Sequence, residues 1–145
     1  MTPSIRDASP LDAGACGNIL WRFQDDTDWM PKLHSAAETI AFCDRMIAQG
    51  LVRVITSARV AHGFLARRGE EILSLYVTPQ GQGLGQRLLQ DAQAASQRLT
   101  LWTFQANHGA QRFYLRHGFV EIARSDGQDN DEGLPDIRYQ WERSA

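Results

Sequence analysis

A glycine-rich turn, Gln80-Gly81-Gln82-Gly83-Leu84-Gly85, carries the strongest chemical signal in the sequence. The apolar run Ile72–Val77 precedes it, and the segment Gln86–Ala92, which has helical apolar spacing, follows it. Such a turn lets the backbone approach a ligand closely and points unpaired amide N–H groups at one spot, where the helix dipole favours negative charge. The pattern predicts a site for a phosphate or pyrophosphate; the alternative is a tight turn without a ligand.

Composition limits the classes of protein that could carry this turn. The 145 residues, 43% of them hydrophobic, predict one domain over residues 1–145. A formal net charge of −2 gives no reason to expect nucleic acid or a membrane as a partner, and no run is long enough to cross a bilayer. Cys16 and Cys43 lack metal-ligand spacing, so we expect reduced, buried thiols, no metal site and a cytoplasmic protein.

The first third of the chain predicts a strand followed by two helices. Ser9-Pro10-Leu11-Asp12 is typical of a helix start, and this helix is expected to reach about Phe23. The polar stretch from Gln24 to Pro31 then predicts a loop. A second capping box at Ser35–Glu38 and a terminal glycine at Gly50 delimit the second helix.

The remaining two thirds of the chain alternate between segments whose apolar residues have strand-like spacing and segments whose apolar residues have helix-like spacing. Three β-rich runs joined by two close turns predict an antiparallel meander that leads into the glycine-rich turn. The predicted element order is β-α-α-β-β-β-α-β-α-β-β, an α/β (α+β) class fold with helices against a mixed sheet. The elements after Gly50 are strands at 51–57, 60–67 and 70–78, a helix from 84 to about 95, a strand at 99–104, a helix at 107–117, and strands at 119–123 and 137–141.

Two motifs in this order resemble those of the GNAT superfamily of acetyl-CoA-dependent N-acetyltransferases. The first is the Gln-x-x-Gly-x-Gly turn that opens at Gln80, directly after Leu75-Tyr76-Val77-Thr78-Pro79. The second, about two dozen residues later, runs from Asn107 through Ala110 and Phe113-Tyr114 to Gly118-Phe119. The resemblance is detailed from about Glu70 to Ile122 and only topological before Gly50.

The resemblance implies acetyl-CoA as co-substrate and a binding role for two backbone segments. Main-chain N–H groups of the turn, from Gly81 through Gln82, Gly83 and Leu84 to Gly85, would face the coenzyme A pyrophosphate, with Gln80 as a further hydrogen-bonding group. The backbone of Leu75, Tyr76 and Val77 would pair with the pantetheine arm and polarise the thioester carbonyl. Asn107 would bind the coenzyme arm, although Asn is also a common helix N-cap.

The same resemblance implies that Tyr114 donates a proton to the departing thiolate as a general acid. The alternative is a packed aromatic residue with its hydroxyl at the surface. A base must also take the proton of the attacking amine. Glu71, at the start of the fourth strand, is the predicted base acting through water, with Glu70, Ser74, His62 and His34 as weaker candidates. Glutamates at such positions are also commonly only solvated strand ends.

Selection of the acceptor is expected from the loop between the first two helices. Asp25, Asp26, Asp28 and Trp29 would suit a cationic or polyamine-like acceptor, with Trp29 as a cation–π surface. The other interpretation is a solvated acidic loop that Trp29 anchors to the core. The polar loop from Asp126 to Glu132 is a second segment expected to border the site.

The resemblance implies an N-acetyltransferase in which a primary amine attacks acetyl-CoA directly in a ternary complex. The acceptor would be a small-molecule or peptide amine, and edge strands leave a homodimer open. A non-catalytic acyl-CoA-binding or sensing module of the same fold is the alternative. A dinucleotide-binding oxidoreductase fragment is disfavoured, because that class needs an acidic residue at the end of the following strand, where Trp102-Thr103-Phe104 stands.

Overall fold

The fold is a seven-stranded mixed sheet with helices packed against it. A computed structural model describes residues 2–144. Its strands are β1 (Ser4–Asp7), β2 (Val52–Ser57), β3 (Val60–Arg68), β4 (Glu71–Val77), β5 (Arg98–Phe104), β6 (Val120–Ser125) and β7 (Asp136–Glu142). Its helices are α1 (Ala13–Asp26), α2 (Ala36–Ala48), α3 (Leu84–Ala94) and α4 (His108–Arg116), with a short 3-10 helix at Pro10–Asp12 before α1. The predicted element order and fold class are confirmed.

The sheet has the strand order β1-β2-β3-β4-β5-β7-β6. Strands β1 to β4 pair antiparallel in succession, which confirms the predicted meander, and β7 lies antiparallel between β5 and β6. The junction between these two halves is the parallel pair β4–β5, which has a single register partner, Glu71 with Thr100. The two strands therefore separate beyond Glu71, towards the glycine-rich turn.

Local signals explain where the first two helices begin and end. The Ser9 amide donates to the Asp12 carboxylate over 2.7 Å, but the backbone makes a 3-10 turn there before α1 begins at Ala13. α1 continues three residues past the predicted end at Phe23. The capping box of α2 is present, with the Glu38 amide 3.1 Å from the Ser35 hydroxyl, and Gly50 takes a positive φ of 73° after that helix.

Two apolar cores form on opposite faces of the sheet. The first packs α3 and α4 against β4, β5 and β7, through residues such as Leu88, Leu99 and Tyr139. The second packs α1 and α2 against β2 and β3, through residues such as Cys16, Cys43 and Phe64. Both cysteines are free and fully buried. Burial of these side chains fixes the helices on the sheet and so sets the position of the gap between β4 and β5.

No helix in residues 2–144 is both long enough and apolar enough to cross a membrane.

Candidate active site

A cavity of about 930 Å³ opens where β4 and β5 separate. The C-terminal half of α1, the end of β4, the glycine-rich turn and α4 form its walls. The lining residues are Asn18, Ile19, Arg22, Phe23, Asp26, Thr27, Trp29, Leu75, Tyr76, Val77, Thr78, Gln80, Gly81, Gly83, Leu84, Gly85, Gln86, Asn107, Gly109, Ala110, Phe113, Tyr114, Arg116 and His117. Its volume is within the usual range for a small-molecule site.

The glycine-rich turn forms one end of this cavity and leads into α3. Gly81 and Gly83 have φ values of 81° and 77°, a region that side chains with a β-carbon rarely occupy. Gly83 is the N-cap of α3, so the first amides of that helix have no partner within it. Gly85 lies inside the first turn, where an added β-carbon would stand 3.6 Å from Phe113. The turn therefore presents bare N–H groups and positive helix-dipole potential to the cavity.

Most of the residues predicted to bind the coenzyme line this cavity. Leu75, Tyr76, Val77, Gln80, Gly81, Gly83, Leu84, Gly85 and Asn107 are all in its walls. Gln82 is exposed and is outside the lining set. The sequence pattern thus located the cavity but did not separate the turn residues that face it from the one that faces solvent.

The end of β4 has one paired edge and one free edge. On one side Leu75, Tyr76 and Val77 pair with Leu65, Phe64 and Gly63 of β3. On the other side the register with β5 stops at Glu71, so the β4 backbone from Leu75 onward faces the cavity without a strand partner. Backbone groups at a strand edge seek hydrogen-bond partners, so this edge suits an extended ligand.

Helix α4 brings Asn107 and Tyr114 to the opposite wall. The Asn107 side-chain oxygen accepts a hydrogen bond from the Ala110 amide over 3.1 Å, so Asn107 is the N-cap of α4 and also lines the cavity. Tyr114 is only 8% exposed, and its hydroxyl has no hydrogen-bond partner in residues 2–144. Burial raises the pKa of the Tyr114 phenol, and the Tyr76 phenol adds to that rise, so Tyr114 stays protonated at neutral pH.

An aromatic wall closes the cavity on the α1 side. The Trp29 ring lies 6.5 Å from Phe23 and 5.8 Å from Phe104, and Phe23 lies 5.1 Å from Tyr76. Lys32 lies 3.6 Å from the Asp25 carboxylate and donates to the Asp25 carbonyl. Trp29 therefore anchors the loop after α1, as one of the two sequence interpretations expected, and Lys32 offsets part of the loop's negative charge.

The predicted base residues do not line the cavity. Glu71 forms an ion pair with Arg138 over 2.5 Å, and the Arg138 guanidinium also donates to Thr100. His62 is hydrogen-bonded to Ser57 at 2.9 Å, and exposed His34 lies 4.0 Å from Glu38. The structure thus brings the predicted acid, Tyr114, to the cavity and leaves Glu71 in a separate contact.

Several lining residues were missed by sequence reasoning. Asn18, Ile19, Arg22, Phe23 and Asp26 all line the cavity from α1. Their spacing of three to four residues puts them on one helical face, a signal that the sequence does contain. His117 also lines the cavity, and burial, with a smaller contribution from Arg116, lowers its pKa. His117 is also the C-cap residue of α4.

Comparisons with known proteins agree with this architecture. The family model described as "Acetyltransferase (GNAT) domain" matches residues 37–121. Apo YjaB from Escherichia coli has a similar structure, with a TM-score of 0.81 and 23% identity over 97% of this chain and 98% of that one. A GNAT-family acetyltransferase from Bacillus cereus gives a TM-score of 0.75 and 16% sequence identity over the full length of both chains.

A third similar structure, PaiA N-acetyltransferase from Thermoplasma acidophilum, was solved in complex with coenzyme A. It gives a TM-score of 0.68 and 17% identity over 99% of this chain and all of that one. At these identities the solved structures show a shared fold. No curated protein matches the chain significantly. The family match covers more than half of the sequence and includes both the glycine-rich turn and α4. The chain therefore belongs to the GNAT acetyltransferase family.

Proposed function

We propose that this protein is an N-acetyltransferase that moves the acetyl group of acetyl-CoA to a primary amine. The observation that carries the proposal is the shared cavity: the bare amides at the start of α3, the free edge of β4 and the unpartnered Tyr114 hydroxyl all face it. Acetyl transfer needs groups that hold a phosphate, align an extended arm and protonate a thiolate. The α3 amides, the β4 edge and the Tyr114 hydroxyl would meet these needs in that order.

Coenzyme A fits the groups that are present. The amides that follow Gly81 and Gly83 would hold the pyrophosphate, with Gln80 beside them, and the β4 backbone from Leu75 to Val77 would hold the pantetheine arm. The complex of PaiA with coenzyme A supports the same assignment for a protein of this fold. When bound, acetyl-CoA supplies the acetyl group as a thioester.

The reaction needs one bond made, one bond broken and one proton delivered. In a ternary complex the neutral amine attacks the thioester carbonyl directly; the C–N bond forms and the C–S bond breaks. Tyr114 gives its phenolic proton to the departing sulfur and is reprotonated from solvent. Cys16 and Cys43 are buried away from the cavity, and burial raises their pKa to about 12 and about 11, so neither is placed to form an acyl-enzyme.

Once the C–N bond has formed, the amine nitrogen gives its own proton to water in the open cavity, which balances the proton that Tyr114 delivers to sulfur, so the proposal uses no fixed protein base. Glu71 is held by Arg138, so the proposal gives it no part in the chemistry. The buried free cysteines are typical of a reducing compartment, which supports a cytoplasmic site of action.

The test is an assay of thiol release from acetyl-CoA with a panel of amines, with mass spectrometry of the acetylated product. Amine-dependent thiol release together with an N-acetyl product supports the proposal. If calorimetry detects coenzyme A binding but no amine yields product, the protein is a binding module and the catalytic proposal is wrong. If coenzyme A does not bind, both assignments are wrong.

A further inference from the structure

The main cavity, which opens where β4 and β5 separate, is lined from both faces of the sheet. In β4, Leu75 and Val77 pack against the core that contains α3 and α4, whereas Tyr76 packs against the core that contains α1 and α2. The Phe23 ring of α1 lies 5.1 Å from the Tyr76 ring. Groups that α1 presents to the cavity therefore lie across the sheet from the amides proposed to hold the pyrophosphate.

Three polar side chains of α1 form a stripe along this wall of the cavity. Asn18, Arg22 and Asp26 are four residues apart, so they lie on one face of the helix at successive turns. All three residues are exposed, and all three line the cavity. From its N-terminal to its C-terminal end, the stripe presents an amide, a guanidinium and a carboxylate.

Arg22 has no protein partner for its charge. Its guanidinium makes no hydrogen bond or ion pair with any residue from 2 to 144, including Asp26 one turn away, and the Asn18 side chain makes no hydrogen bond there either. Other exposed arginines, such as Arg6 and Arg124, hold a carboxylate at 2.8 Å. The planar fork of a guanidinium matches a carboxylate, so Arg22 suits a ligand that carries one.

A second arginine in the cavity wall, Arg116, lies at the coenzyme end. The neighbouring His117 ring is 4.6 Å from the Phe113 ring, and a β-carbon on Gly85 would stand 3.6 Å from Phe113. Phosphate groups at the start of α3 therefore have a cation on their own face of the sheet. Because Arg22 is on the other face, the anion that suits it belongs to the acceptor.

The loop after α1 adds little negative charge to this wall. Of Asp25, Asp26 and Asp28, only Asp26 lines the cavity, and Lys32 lies 3.6 Å from the Asp25 carboxylate. The charged residues that α1 and this loop contribute to the lining are thus Arg22 and Asp26, whose charges cancel. One cation and one anion a helical turn apart match a molecule that carries both a carboxylate and an amine.

We propose that the acceptor is an amino acid or a related amine that carries a carboxylate, and that Arg22 determines this specificity. Arg22 and Asn18 donate hydrogen bonds to the acceptor carboxylate. Asp26 attracts the ammonium form of the acceptor, which loses a proton to water before the neutral amine attacks. This inference rests on the proposed function for its chemistry, but acceptor binding can be measured separately from turnover.

The experiment titrates amino acids, each beside its own carboxamide, into protein saturated with coenzyme A. The two members of a pair share the amine and the side chain, and only one of them carries the carboxylate. We expect at least one amino acid to bind about tenfold or more tightly than its carboxamide, the scale of a charge-assisted hydrogen bond. Arg22→Gln should remove most of this preference. Arg22→Lys should keep part of it, because lysine keeps the charge and loses the fork.

Variants of the other two stripe residues separate the carboxylate from the amine. Asn18→Ala should reduce the preference for the amino acid less than Arg22→Gln does, because an amide donor carries no charge. Asp26→Asn should weaken the binding of both members of a pair by a similar factor, since both carry the amine, and should leave the preference itself in place.

Arg45→Gln is the matched control for the loss of one positive charge. Arg45 is an exposed arginine of α2 whose side chain makes no hydrogen bond or ion pair within residues 2–144, and it does not line the cavity. This variant should leave the preference for the amino acid unchanged.

Four outcomes would overturn the inference. Three of them are that no amino acid binds, that none binds more tightly than its carboxamide, and that the preference survives in Arg22→Gln. The fourth is that Arg22→Gln raises the Kd for coenzyme A as much as the Kd for the amino acid, because Arg22 would then serve the coenzyme phosphates. Coenzyme A binding by the wild type, and thiol release with other amines, test the proposed function separately.

Discussion

The two sides of the main cavity are formed by different kinds of group. The side proposed to hold coenzyme A presents backbone groups, the amides at the start of α3 and the free edge of β4. The side proposed to hold the acceptor presents side chains of α1 and of the loop after it, which lie far from the glycine-rich turn in sequence. A backbone site needs glycines at fixed spacing, which leaves a motif; a side-chain site assembled across the fold leaves none. Substitutions can test whether the two ends are as separable as they look.

The largest effect is expected from Tyr114→Phe, at the point where the two ends meet. Loss of the phenolic proton should lower kcat roughly 100-fold or more, the scale of general acid catalysis, with little change in coenzyme A affinity. Steady-state kinetics and calorimetry measure the two quantities. Tyr139→Phe is the control, because Tyr139 lies in the same core with its ring 6.3 Å from Tyr114 but does not line the cavity. Equal losses in both variants would contradict the assignment.

Gly83→Val should damage the coenzyme end alone. Its φ of 77° is strained for valine, and the side chain would cover the bare amides at the start of α3. We expect the Kd for coenzyme A to rise at least about tenfold, the effect of losing roughly 1.4 kcal/mol of binding. Gly69→Val introduces similar strain at a φ of 59° in the β3–β4 turn, outside the cavity. If Gly69→Val weakens coenzyme A binding as much as Gly83→Val does, general backbone strain explains the loss, and the amides of the glycine-rich turn do not.

Gly127→Ala should destabilise the fold and leave the coenzyme end intact. The added methyl group would collide with the Leu134 backbone and displace the β6–β7 connection, which lies outside the main cavity. We expect the free energy of unfolding to fall by roughly 1–2 kcal/mol or more, with the Kd for coenzyme A unchanged. Gly133→Ala is in the same connection, at a φ of 66° with open space around it, and should lower the free energy of unfolding less. Altered coenzyme affinity in Gly127→Ala would show that this connection and the coenzyme end are coupled.

The smallest effect concerns stability in alkali. Burial raises the pKa of Tyr76 from the ordinary value of 10 to about 12, so the folded state holds this proton when the unfolded state has lost it. Stability from this group is full below pH 10 and declines as pH rises towards 12. The free energy of unfolding, measured by denaturant titration, should fall less steeply in this range for Tyr76→Phe than for the wild type. If the free energy of unfolding falls equally steeply with pH in both proteins, the raised pKa of Tyr76 is wrong.

The fold and the geometry of the glycine-rich turn could be predicted from the sequence for the same reason. Capping residues such as Ser35 and Glu38, and the glycines at 50 and 83, act locally, so their pattern translates directly into structure. The predicted role of Asn107 as N-cap was likewise local and is confirmed.

Long-range contacts account for what the sequence did not predict. The ion pair of Glu71 with Arg138 joins residues 67 positions apart in the chain and forms only because β7 lies beside β5. Of the α1 residues that line the cavity, only Asp26 lay beyond the predicted helix end, and which face of α1 meets the cavity is set by its packing on the sheet.

The free edge of β4 has a further consequence for the behaviour of the protein in solution. An unpaired strand edge at the outside of a sheet invites another polypeptide to add to it and so promotes aggregation. This edge is internal, with α1 and α4 standing on either side of it. A neighbouring protein strand, with side chains on both faces, cannot enter between these helices, whereas a slender unbranched molecule can. This internal edge is therefore shielded from strand addition, while the outer edges of the sheet, at β1 and β6, are not.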